Sequence, residues 1–198
     1  MTSWDSLVAD AFIFDLDGTL VDSMPLHYMA WNQAFNAAGL DRDLDQELFY
    51  SLGGVPSPEV ARIIAQHYQL EADLAALFIH KEKLFLEKKR SIKVIDSVAT
   101  FARKISSTHP IAIASGGPRD VVEETLQIVG LRSLFHVVVT ASDVTHGKPA
   151  PDMFLLAAER MSVEPSRCIV FEDAQPGIEA AKAAKMRYIH IRSREFTA

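Results

Sequence analysis

The sequence predicts an α/β fold: a doubly wound, Rossmann-like parallel sheet of about five strands, with an all-helical cap domain inserted after the first strand. Three observations predict it. Five short, continuous apolar runs stand out, the pattern of strands buried on both faces. Helical segments separate the last four of them, which implies right-handed crossovers between parallel strands. Finally, residues 24–90 carry helix-like patterning throughout and interrupt the alternation directly after the first run.

The first run, "AFIF" (11–14), leads straight into Asp15-Leu16-Asp17-Gly18-Thr19. Four helices are expected next, at 24–39, 43–52, 57–68 and 71–90. The last carries lysines and glutamates at i, i+4-type spacing on an exposed charged face. Residues 91–96 form the return linker. A second strand is expected at "PIAIA" (110–114), then a helix over 118–129, opened by Gly-Gly-Pro and capped at Gly130. Strands at "FHVVV" (135–139), "CIVF" (168–171) and "RYIHI" (187–191) follow, separated by helices at 151–161 and 175–186 that each have a proline near the start. The expected division is a core of residues 1–22 and 92–198 and a cap of residues 23–91.

The bulk numbers narrow the function. A chain of 198 residues, 48% hydrophobic and 23% charged, buries a real core. The net charge of −6 argues against a nucleic-acid or anionic-membrane partner. Cys168 is the one cysteine, so there is no disulfide framework; it is expected as a small buried hydrophobe. The first ten residues lack the basic and apolar regions of a signal peptide, and no stretch approaches the roughly 18 apolar residues of a membrane span. A cytoplasmic monomer is the expectation.

Ligands of open α/β sheets sit beyond the carboxyl ends of the strands, and four polar clusters fall at such ends: Asp15/Asp17, Ser115-Gly116-Gly117, Lys148 and Glu172-Asp173. Asp15 and Asp17, two apart on extended backbone, aim to one side. With Glu172 and Asp173 they would repel one another unless a cation sat among them. An all-oxygen donor set selects a hard ion such as Mg²⁺. Ser115 and the amides of Gly116 and Gly117 at a helix start are anion-binding donors, and Lys148 is a point charge for phosphate. These are the parts of a magnesium-dependent phosphoryl-transfer site. Asp15, the deeper carboxylate, is the expected nucleophile and Asp17 the general acid and base. Taken singly, each motif has an ordinary structural use: an Asp-Gly turn, a Ser115 helix cap, a surface lysine, an Asp173 cap. Four strand ends together favour the site.

"DLDGTL", "ASGG", "GKPAPD" and "FEDAQPGIEAAKAA" resemble the four ordered motifs of the haloacid dehalogenase superfamily, over about residues 11–191. "HYMAW", "KPAPD" and "FEDA" are similar to its branch of β-phosphoglucomutases and fructose-1-phosphate phosphatases. The resemblance implies a metal held by Asp15, the backbone carbonyl of Asp17 and Asp173, with Glu172 a ligand or close neighbour. It implies a sugar phosphate substrate. It also turns His27 toward the site and makes Lys83 the cap lysine that reaches the substrate. Trp31 shares a helix face with His27, which suits packing between cap helices as well as a substrate contact. In β-phosphoglucomutases an arginine of the cap loop clamps a second phosphate. Here Ser57-Pro58-Glu59 occupy those positions and Arg62 is the nearest arginine. A sugar phosphatase is therefore expected ahead of a phosphosugar isomerase, and a non-catalytic module ranks behind both.

Overall fold

The computed structural model describes residue 4 and residues 6–191; the outermost parts of the expected core, residues 1–3, 5 and 192–198, lie outside the described residues. Five strands form one fully parallel sheet: β1 (Ala11–Phe14), β2 (Ile111–Ser115), β3 (Val137–Thr140), β4 (Cys168–Glu172) and β5 (Arg187–His190), ordered β3-β2-β1-β4-β5. The chain winds outward from β1 to β3, then crosses to β4 on the other side of β1. The ends of β1 and β4 therefore flank the point where the winding reverses, which is where such sheets take ligands.

The apolar runs of β1 to β4 fill both faces, whereas β5, at the sheet edge, is largely exposed. Phe12 and Phe14 point to one side, against Phe101, Phe135 and Phe171; Ala11 and Ile13 point to the other, against Met153, Phe154 and Ala157. The Phe14 and Phe171 rings stack at 4.8 Å between centroids. Cys168 is fully buried, and burial pushes its thiol up to about 11, as suits a small hydrophobe.

Four helices stand between β1 and the return of the chain to the sheet: α1 (Met24–Ala37), α2 (Gln46–Ser51), α3 (Ser57–His67) and α4 (Leu74–Lys88). They enclose a core of their own around Trp31, Phe35, Phe49, Ile64 and Leu77. Side chains set the starts of two of them. Asp45 accepts the Leu48 amide at 2.9 Å, so α2 begins at Gln46 rather than at residue 43. Asp73 accepts the amides of Ala75 and Ala76, both at 3.0 Å, and opens α4. The two connections back to the sheet pair with each other through a bridge between Val21 and Val94 and bonds from Asp22 N to Lys93 O and Ile95 N to Leu20 O, each 2.9 Å.

One helix was not among the expected elements. Asp96, placed at the end of the return linker, opens α5 (Asp96–Ile105), whose Val98, Ala99, Phe101, Ala102 and Ile105 pack on the sheet. The remaining helices, α6 (Arg119–Ile128), α7 (Asp152–Arg160) and α8 (Gln175–Ala183), match the expected ones to within a few residues. Among the described residues no helix is long and apolar enough to cross a membrane.

Candidate active site

Asp15 follows the last residue of β1 and is 3% exposed. Lys148, on the loop before α7, reaches it through the interior: Nζ donates to Asp15 Oδ1 at 2.7 Å and to Glu172 Oε2 at 2.7 Å. Glu172 ends β4, and its other oxygen accepts the amides of Asp173 and Ala174 at 3.1 Å each. Asp173 Oδ1 accepts from Thr19 Oγ1 at 3.0 Å. The turn after β1 approaches Asp173 so closely that a Cβ on Gly18 would lie 2.2 Å from its Oδ2; Gly18 also sits at φ +90°, so only glycine serves there.

Three carboxylates thus meet at two strand ends, and ligand atoms of Asp15, Glu172 and Asp173 lie within 4.8 Å of one another. Burial raises Asp15 well above the usual carboxylate range, repulsion from Glu172 adds to it, and Lys148 only partly offsets both. Asp173 is pushed up to about 7 by burial and by Glu172. Lys148 is held protonated: burial opposes its charge, but Asp15 and Glu172 outweigh burial. One lysine does not balance three carboxylates, and every donor is an oxygen. The cluster fits a hard divalent cation.

Asp17 is turned elsewhere. Its Oδ1 accepts from Ser23 Oγ at 2.5 Å and meets His27 Nε2 at 3.2 Å; its Oδ2 faces Ser115 Oγ at 3.5 Å. Burial would raise its pKa, but the charge and hydrogen bond of His27, with Ser23 and Lys81, hold it below the usual range. The His27 imidazole stacks on Phe85 at 4.0 Å, nearly parallel; burial and then Lys81 lower its pKa, and the Asp17 carboxylate only partly offsets them. Ser115 ends β2, and its Oγ accepts the Gly117 amide at 3.2 Å, ordering the turn that leads into α6. The loop after α2 docks onto this turn: a Cβ on Gly116 would sit 2.6 Å from the Gly54 carbonyl.

Asp15, Asp17, His27, Trp31, Ser115 and Gly116 all line one cleft under the helical cap, together with Lys81. Lys148, Glu172 and Asp173 lie beside or beneath it. The Asp17 carboxylate stands outside the acidic cluster. The expectation for Lys83 is corrected: it lines a separate groove on the outer side of α4, and Lys81 is the cap lysine in the cleft. Residues two apart on a helix point to nearly opposite sides. A signal existed, because Leu77, Lys81 and Phe85 recur every four residues along the buried face. Glu82, Ser23 and Phe85 were not singled out from sequence; nothing local marks Ser23 as the partner of Asp17.

The sequence matches the haloacid dehalogenase-like hydrolase model over residues 9–185. The chain belongs to the haloacid dehalogenase-like hydrolases. Among relatives in this family, it is 37% identical to fructose-1-phosphate phosphatase YqaB of Escherichia coli, over 91% of this chain and 95% of that protein. It is 33% identical to hexitol phosphatase A of the same organism, over 91% and 82%. The solved β-phosphoglucomutase of Clostridium difficile superposes with a TM-score of 0.83 at 26% identity, covering 92% of this chain and 84% of that one.

Proposed function

We propose that this chain is a Mg²⁺-dependent phosphatase that hydrolyses small sugar monophosphates, fructose 1-phosphate among them, through an aspartyl-phosphate on Asp15, acting as a cytoplasmic monomer. It is a phosphoric monoester hydrolase. One observation carries the reading: Asp15, fixed by Lys148, shares a cleft with Asp17, whose free oxygen faces the Ser115 turn across 3.5 Å. A phosphoryl group on that turn lies between a nucleophile and a proton carrier.

In the first step Lys148 holds Asp15 Oδ1, leaving Oδ2 to attack phosphorus. The bond from phosphorus to the sugar oxygen breaks, and that oxygen takes a proton from Asp17. In the free chain Asp17 is held ionised; the arriving phosphate is a like charge beside it, which raises its affinity for that proton. In the second step Asp17 takes a proton from water, the water oxygen attacks phosphorus, and the bond to Asp15 breaks to release phosphate. Ser115 and the Gly116 amide orient the phosphoryl oxygens, while Ser23 and His27 hold Asp17 in place. Mg²⁺, held by Asp15, Asp173 and the Asp17 carbonyl with Glu172 beside them, would neutralise phosphoryl charge.

The isomerase alternative needs a cation for a second phosphate. Arg62 does not line the cleft: it donates to Glu59 at 2.9 and 2.6 Å and to Gln66 at 3.0 Å, with its side chain 52% exposed. The test is phosphate release from a panel of sugar monophosphates with and without Mg²⁺. Asp15→Asn, which has no nucleophilic oxygen, should abolish release; undiminished turnover by that variant would remove the assignment.

A further inference from the structure

At the cap side of the cleft lies a charge pair that takes part in no bond or proton transfer of the reaction above. Lys81 and Glu82 are neighbours on α4, 1% and 9% exposed. Lys81 lines the cleft; its Nζ donates to Glu82 Oε1 at 2.8 Å and lies 5.3 and 5.2 Å from the ring centroids of Trp31 and Phe85. Glu82 does not line the cleft. Its Oε2 is buried and is the one such side-chain atom without a hydrogen-bond partner among the described residues. Leaving a buried carboxylate oxygen unsatisfied is costly, and a lysine whose stem reached solvent would need no such partner. The clear effect of Glu82 is to cancel the Lys81 charge.

Among the described residues that line the cleft, Lys81 is the only lysine or arginine. Lys148 is engaged between Asp15 and Glu172, and Arg62 is paired with Glu59 away from the cleft. Lys81 has three N–H donors and spends one on Glu82, so it offers hydrogen bonds to hydroxyls without offering net positive charge.

We infer that Glu82 is a positioning residue that sets substrate specificity through Lys81: it makes the cap side of the cleft electrically neutral, so that neutral polyhydroxylated leaving groups are accepted and leaving groups bearing a second anion are turned away. The inference rests on the phosphatase reading and adds the charge class of the leaving group.

The test compares kcat/KM for fructose 1-phosphate and fructose 1,6-bisphosphate, with Mg²⁺, in the unsubstituted protein, in Glu82→Gln and in the double variant Lys81→Met/Glu82→Gln. The unsubstituted protein is expected to favour the monophosphate. Glu82→Gln should move the ratio toward the bisphosphate by about tenfold or more, the effect of one unit charge several ångströms away at an effective dielectric of about 20. The change should lie in KM for the bisphosphate. The double variant, neutral again, should return toward the original ratio. A merely structural role would lower both substrates together and leave the ratio alone; that result would overturn the inference while the phosphatase reading stood. If Glu82→Gln does not fold, the unsubstituted protein still decides, because a lower KM for the bisphosphate overturns the inference by itself. Absence of turnover on every sugar monophosphate would remove the phosphatase reading and the inference with it.

Discussion

Lys148→Met isolates the electrostatics of the site. Lys148 is buried and bonds Asp15 and Glu172 at 2.7 Å each, and Asp173 completes a carboxylate cluster with ligand atoms within 4.8 Å. Two unit charges of one sign at that separation repel by about 3.5 kcal/mol at an effective dielectric of about 20. Methionine keeps most of the volume and removes the compensation, so the variant should lose about 3–5 kcal/mol of stability, as when one partner of a buried pair is deleted. For a chain of this size that is a fall in Tm of about 6–20 °C. Protonation of a carboxyl caps the loss, so it should grow as pH rises. The assay is urea unfolding of both proteins at neutral pH, in chelator and again in excess Mg²⁺. The cation should recover more stability in the variant than in the unsubstituted protein, since it finds more uncompensated charge there. A variant within about 1 kcal/mol of the unsubstituted protein in chelator would refute the reasoning, for that is no more than an average single substitution costs.

Metal-free protein should lose stability as pH rises from about 4 toward 7. The folded chain holds a proton on Asp173 up to about 7, whereas the unfolded chain releases it near the ordinary value of 3.8, and Mg²⁺ should flatten the slope measured by denaturation. Asp143 behaves oppositely. Bonded by Thr140 N and Oγ1 at 2.8 and 2.9 Å, by Arg160 at 3.0 Å and by Arg119, its carboxyl sits at about 2, so its contribution holds above about pH 4 and fades as pH falls through 2. Asp143→Ala should cost about 1–3 kcal/mol at neutral pH, in the lower half of that range because both arginines are 40% exposed. Gly18→Ala should raise the Mg²⁺ concentration needed for half-maximal turnover by about 10–100-fold, because a Cβ 2.2 Å from Asp173 Oδ2 displaces a carboxylate proposed to hold the cation; an unchanged Mg²⁺ midpoint would contradict that role for Asp173.

The sequence alone determined the parallel sheet and which polar side chains stand at its strand ends. Apolar runs such as 11–14 and 168–172 are buried on both faces and so carry no polar interruption, and Asp15, Ser115 and Glu172 each sit at or next to the end of such a run. These are local properties, written into a few consecutive residues. Helix α5 was not expected, although its apolar positions recur at helical spacing; of its residues only Asp96 falls within an expected element, the linker at 91–96. What sequence did not decide was which cap side chains enter the cleft. "HKEK" offers two lysines, and the rotation of α4 against Trp31 and Phe85 gives the cleft to Lys81 and the outer groove to Lys83. Likewise, Ser23 and His27 hold one oxygen of Asp17 only because α1 returns over the end of β1. Residue type and strand position fix which chemistry is possible; the orientation of one element against another fixes which atoms perform it, because that orientation depends on contacts between residues far apart in the chain.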